Sequence, residues 1–208
     1  MRVNEYKLPF VESDTEFDRL LFTELKSYHW EAEKPYRPRT YFKMAVVNGV
    51  LTARLLCFEA EPRAVYTERD EPAYKDSCLE FFVAPVKDRE EYINIESTSN
   101  GTFLCEFGKG KTDRRFIKEI TKFAPRVKPF KDCIGEMCWG VTVTVPNRLI
   151  AELYGIDEAD MDFSEIRANF YKCGDDCETP HYLAFNPVTT LPPGFHNPEC
   201  FAIFKRGE

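Results

Sequence analysis

The stretch "YKDSCLEFFV" at 74–83 carries a carboxylate inside a run that is otherwise turning apolar. In a β-strand alternate side chains face opposite ways, so Leu79, Phe81 and Val83 share one face and Cys78, Glu80 and Phe82 the other. An ionised Glu80 on such a face is costly without a cation, hydrogen-bond donors or a ligand beside it. Glu96, in "EYINIES", is the second acid of interest. Two carboxylates roughly 5 to 9.5 Å apart can cleave a glycosidic bond, which makes Glu80 and Glu96 a hydrolase-type pair. Set among amides and rings, the same acids can instead hold the hydroxyl groups of a sugar.

The elements that must position these residues are strands. "YFKMAVVNGVLTARLLCF" at 41–58 reads as a hairpin turning at Asn48–Gly49, because both turn positions need positive φ. That register sets Val46 against Leu51, Met44 against Ala53 and Phe42 against Leu55 on a core face. It also sets Lys43 against Arg54 on the other face, where like charges repel and call for an anion; Glu80 is a candidate. "EYINIES" and "TFLCEF" flank "TSNG" as a second hairpin, with Ile93 and Ile95 inward and Tyr92, Asn94 and Glu96 outward. "CWGVTVTV" alternates and stops at Pro146, "EIRANFYK" places Arg167, Asn169 and Tyr171 outward, and "CFAIFK" closes the chain. A short helix is expected over 147–155, capped by Gly155. Over 13–30 a capping box, Ser13 with Glu16, argues for a helix, whereas "FTELKSYHW" reads equally as a strand. The sum is one domain over residues 1–208, an antiparallel β-sandwich with one or two short helices.

Composition narrows the function classes. A net charge of −7 over 208 residues argues against a nucleic-acid partner, and the one basic cluster, "GKGKTDRR" at 108–115, reads as a solvated hairpin loop. The sequence shows no signal-peptide or membrane-spanning run, so the chain is expected to be cytoplasmic. Its eight cysteines are accordingly expected to be reduced, and their spacing forms no structural zinc motif. Trp139 reads as core, Trp30 as filling the open end of the sandwich or touching a ligand, and Arg63 as capping a loop.

The outward set Lys43, Arg54, Glu80, Asn94, Glu96, Arg167, Asn169 and Tyr171 describes either a solvated sheet face or a sugar site. The order "YKDSCLEFFV…YINIESTSNGTF…CWGVTVTVP…RANFY…AFNPV…FHNPECFAIF" resembles the family 9 carbohydrate-binding modules and the family 9-like domains of bacterial proteins, over about residues 40–204. The resemblance implies a non-catalytic sandwich that binds a sugar or similar polyol between two aromatic rings. Position by position it implies Glu80 as the hydroxyl-binding glutamate, Tyr171 beside Asn169 as polar ligand groups, and Asn94 where the family places an arginine. The two rings fall at Tyr74 and Phe195, where the family has tryptophan. With Arg54, these residues form the expected ligand set. Calcium is carried as a family property that no stretch of this sequence matches. Two other readings stand beside this one, the Glu80–Glu96 hydrolase and a haem- or protein-binding sandwich in which His196 is the only plausible haem ligand.

Overall fold

The computed structural model describes residues 4–28, 36–133, 136–190 and 194–207. The chain begins with β1 (Glu5–Leu8) and β2 (Phe10–Val11), then α1 (Asp14–Arg19) and β3 (Thr23–Glu24). The Asn48–Gly49 hairpin joins β4 (Thr40–Val47) to β5 (Val50–Cys57), with φ of 46° and 78° at the two turn residues. There follow β6 (Cys78–Ala84), β7 (Tyr92–Thr98), β8 (Phe103–Gly108), β9 (Arg114–Phe116), β10 (Arg126–Cys133) and β11 (Glu136–Val145). The helix α2 (Asn147–Tyr154) precedes β12 (Glu165–Gly174), β13 (His181–Ala184) and β14 (Ala202–Arg206).

These strands form two sheets. The larger runs β1-β14-β12-β6-β7-β8-β9, with β13 also paired to β12; the smaller runs β10-β11-β5-β4-β2, with β3 also on β4. Pairing is antiparallel except where β1 joins β14 and β2 joins β4. Because β1 and β2 are separated by Pro9 alone, the chain passes directly from one sheet to the other there. The β4–β5 register is the expected one, Val46 on Leu51 through Phe42 on Leu55, with Lys43 across from Arg54.

Between the sheets lies the core. Leu79, Phe81, Val83, Ile93, Ile95 and Phe170 from the larger sheet pack on Phe42, Met44, Leu55, Val141 and Val143 from the smaller. Phe170 is the hinge of this packing: its ring stacks on Phe42 at 3.7 Å and on Phe81 at 5.0 Å. Trp139 is buried, and its indole N–H donates to Glu59 at 3.1 Å, so the core reading of this residue holds. The helix α2 buries Leu149, Ile150 and Leu153, and Gly155 ends it in the left-handed conformation.

Both readings of 13–30 hold in part. Ser13 caps α1 by accepting from the Glu16 N–H, and the chain then pairs briefly as β3. Trp30 lies outside the described residues. Arg63 pairs with the buried Asp76, whose second oxygen accepts from the N–H groups of Val65 and Tyr66, so it does fasten a loop. The cysteine expectation needs correction: Cys57, Cys78, Cys105, Cys173, Cys177 and Cys200 are free, but Cys138 is disulfide-bonded. It lies in β11, which pairs antiparallel with β10.

Candidate functional site

The outer face of the larger sheet is laid out by register. Tyr171, Glu80 and Glu96 form one row across β12, β6 and β7. Asn169, Phe82 and Asn94 form the row on one side, and Cys173, Cys78 and Thr98 the row on the other. Strand alternation therefore does bring Glu80 and Glu96 together, directly opposite one another.

Among the described residues the Glu80 carboxyl takes part in no ion pair. It is 2 % exposed, and its Oε1 accepts from the Cys173 thiol at 2.9 Å. Burial, with Cys173 and Glu96 beside it, pushes its pKa well above the carboxylate range. The cost of an ionised group in this position is thus avoided by protonation. Glu96 is 3 % exposed and burial raises its pKa to about 7, opposed by the hydrogen bond that Asn94 donates at 2.7 Å. Its other oxygen, Oε2, is buried without a hydrogen-bond partner among the described residues.

A cation does serve this face, from an unexpected place. Arg114, in the "GKGKTDRR" segment read as solvated loop, has a side chain only 3 % exposed. It donates to Asn94 Oδ1, pairs with Glu106 at 3.2 Å and lies over the Tyr92 ring at 4.3 Å. β9 folds back on β8 and carries the residue inward. Basic clustering alone cannot report that, because the signal is the strand pairing of "RRF" and not the charge.

Loops roof the face. Phe195 stacks on Tyr171 at 4.1 Å, and its backbone carbonyl accepts from the Tyr171 hydroxyl at 3.1 Å. The His196 ring packs on Phe82 at 4.9 Å, its Nδ1 meets the Tyr92 hydroxyl at 2.9 Å, and its Nε2 is 4.0 Å from Glu96. Burial lowers the His196 pKa to about 3, so the ring is neutral. Tyr74 is 38 % exposed; its carbonyl lies 3.3 Å from the Cys173 sulfur, and burial raises the pKa of its hydroxyl. Phe195 and Tyr182 pack against the Cys78–Cys173 cluster. Tyr182, Phe195 and His196 thus form a ring-rich roof on this face, with the exposed Tyr74 joined to it through its backbone carbonyl at Cys173.

The expected ligand set divides accordingly. Tyr74, Glu80, Asn94 and Phe195 gather here. Arg54 does not: it lies on the outer face of the smaller sheet, where Asp18 supplies the anion at 2.6 Å, and Lys43 donates to the Phe17 and Asp18 carbonyls. The local register was right, but the pairing of β4 and β5 with β6 that would have brought Glu80 to them is absent. Asn169 is fully buried and uses its whole amide internally. It donates to the Asn186 and Cys200 carbonyls and accepts from the Phe170 and Asn186 N–H groups. Tyr171 is fully buried beneath Phe195. The Glu80–Glu96 pair is buried, and Met44 faces the core as expected.

A second buried polar set was not foreseen. Lys172 points to the inner side, donates to Ser77 and His181, and lies 3.6 Å from Glu59. Burial and the lysine charge lower the His181 pKa to about 4. With every donor and acceptor matched, this set closes one end of the sandwich.

Cys78, Glu80 and Cys173 are the described group with metal-binding side chains close enough to share an ion. Two of its three donors are sulfur, which does not suit calcium, a cation of oxygen ligands.

Two packed, mainly antiparallel sheets, with polar residues roofed by ring-bearing loops on one outer face, define a β-sandwich of the binding-module class. The sequence profile of carbohydrate-binding family 9 matches residues 10–205, and the chain belongs to that family, which is one of non-catalytic binding modules. The match extends the resemblance N-terminally to include β2, α1 and β3. Among solved structures, a Bacteroides uniformis ATCC 8492 protein described provisionally as carbohydrate-binding superposes with a TM-score of 0.80 at 23% identity, covering 99% of this chain and 100% of its own. A family 9 module from Caldicellulosiruptor kristjanssonii in complex with glucose superposes with a TM-score of 0.64 at 10% identity, covering 98% and 96%. A family 9 module from the same organism in complex with cellotriose gives 0.61 at 11% identity, covering 99% and 93%. No curated protein matches this sequence. No helix among the described residues is long and apolar enough to cross a membrane.

Proposed function

We propose that this chain is a non-catalytic module that binds a sugar or similar polyol on the outer face of the larger sheet, with Tyr74 and Phe195 offering ring surfaces. The observation that carries this reading is Arg114. Its guanidinium, held by Asn94 and Glu106, restores a cation to the face from which the sequence comparison had removed one. A guanidinium, an amide, a carboxyl and a neutral imidazole beneath aromatic rings are the groups that hydroxyls and pyranose faces need. Glucose and cellotriose, the ligands of the structural neighbours, are the first sugars to try. Because Glu80 is sealed, a sugar engages the Tyr74–Phe195–His196 surface first and reaches the acids only if the 194–197 turn lifts.

The test is an NMR titration with glucose, cellobiose and cellotriose. Shifts confined to Tyr74, Tyr182, Phe195 and Arg114, and lost in Tyr74→Ala with the fold intact, support the reading. Unchanged spectra at about 10 mM of every sugar, beyond which affinity is weaker than about 3 kcal/mol, overturn it.

A further inference from the structure

We propose that the outer face of the larger sheet also holds a buried structural site for zinc or another thiophilic divalent cation, formed by Cys78, Cys173 and Glu80, with Glu96 turning in as the fourth ligand. It goes beyond sugar binding and does not depend on it.

The geometry comes from the strand register. Cys78 and Cys173 are directly opposed across β6 and β12, and Glu80 follows Cys78 on the same face. The ligand atoms of these three residues all lie within 4.8 Å of one another, and all three residues are buried. Tetrahedral zinc, with bonds of about 2.3 Å to sulfur and 2.0–2.2 Å to oxygen, places its ligand atoms about 3.5–3.8 Å apart, inside that limit. Glu96 stands outside that group of three, and a turn of its side chain brings in the fourth donor. Glu96 faces Glu80 across β6 and β7; Asn94 holds its Oε1, and its Oε2 is buried with no partner among the described residues. A buried acceptor without a partner, on the residue opposite Glu80, is a group whose desolvation a cation would offset.

The donor set chooses the metal. Two thiols and two carboxyl oxygens suit zinc or cobalt; calcium takes oxygen alone. Both thiols, and whichever carboxyls are protonated, give their protons to solvent as the ion enters. Two thiolates, two carboxylates and a divalent ion leave a charge of −2, which Arg114, linked to Glu96 through Asn94, partly offsets. Once Glu96 turns in as the fourth ligand no position is left free, so the site fastens β12, β6 and β7 together and performs no chemistry.

The experiment uses the full chain without a histidine tag, prepared anaerobically, and reads zinc by elemental analysis and cobalt by absorption. One zinc per chain, replaceable by Co²⁺ with thiolate-to-cobalt charge-transfer bands and tetrahedral d–d bands, is the expected result. Those bands are expected to vanish in Cys78→Ser and Cys173→Ser and to persist in Cys105→Ser, a buried thiol outside the group. Should the serine variants fail to fold, the wild-type cobalt spectrum still decides. Folded wild-type protein that takes up neither ion, even when refolded with a molar excess of either, overturns the proposal. So does a native Cys78–Cys173 disulfide found by mass spectrometry. Sugar titration of the zinc-free and zinc-loaded protein is read separately, so loss of one property leaves the other standing or falling alone.

Discussion

Arg114 shows how a single side chain takes its role from its surroundings. Its guanidinium is enclosed by Asn94, Glu106 and Tyr92, whereas Arg115 next to it is exposed and only loosely paired with Glu119. Removing an enclosed charge partner strands the groups it served, and removing a solvated one does not. Arg114→Met is therefore expected to lower unfolding stability by about 3 kcal/mol in denaturant titration. Arg115→Met is expected to change it by about 0.5 kcal/mol or less. At this scale the sequence was legible only where alternation decides the answer. It put Glu80 and Glu96 on the correct face, but whether a carboxyl is charged depends on the neighbours assembled from three strands. The oddity of Glu80 was a sound signal; of the partners expected for it, a hydrogen-bond donor is present in Cys173, whereas Lys43 and Arg54 take their anion from elsewhere.

Strands and turns were the most readable level. The Asn48–Gly49 turn, the alternation of β6, β7 and β12, and the Gly155 cap are each fixed by residues close in sequence. Elements of two or three residues, such as β2, β3 and β9, carry too little pattern to be read and depend on the sheet that receives them. Gly140 is a position at which the sheet makes a demand that the sequence hides. A Cβ there would sit 2.4 Å from the Leu55 carbonyl oxygen and 2.3 Å from the Phe130 ring. The ring can rotate, but the backbone of β5 cannot move without breaking its ladder with β11. Gly140→Ala is expected to cost about 2–3 kcal/mol by thermal or chemical unfolding. At Gly49, where a Cβ meets nothing and only the positive φ resists, Ala is expected to cost about 1 kcal/mol.

For the whole molecule, which strands share a sheet is set by contacts far apart in sequence, and this is where Arg54 was misplaced. The same assembly fixes the response to pH. His181 and His196 fall from 6.5 to about 4 and about 3, so the unfolded chain binds their protons first, and their contribution is lost as pH drops below 6.5. Glu96, raised from 4.5 to about 7, and Glu80, raised further, act oppositely: their contribution is complete below 4.5 and lost as pH rises. Between about 4.5 and 6.5 the two pairs cancel in proton count. Metal-free protein is therefore expected to be most stable on that plateau, losing stability toward pH 3 and again above about pH 7. A monotonic rise in urea midpoint from pH 5 to pH 8 would contradict this.

The first strand crosses to the second sheet at Pro9, and β1 lies alongside β14 in the same direction, Glu5 by Ile203 and Leu8 by Arg206. Tension applied through Glu5 and Arg206 would drag these two ribbons past each other lengthwise, straining all their bonds at once instead of peeling them singly. A module tethered at those points is thereby built to resist stretching, and a force-extension trace should show a high initial rupture that a proline at Tyr6 lowers.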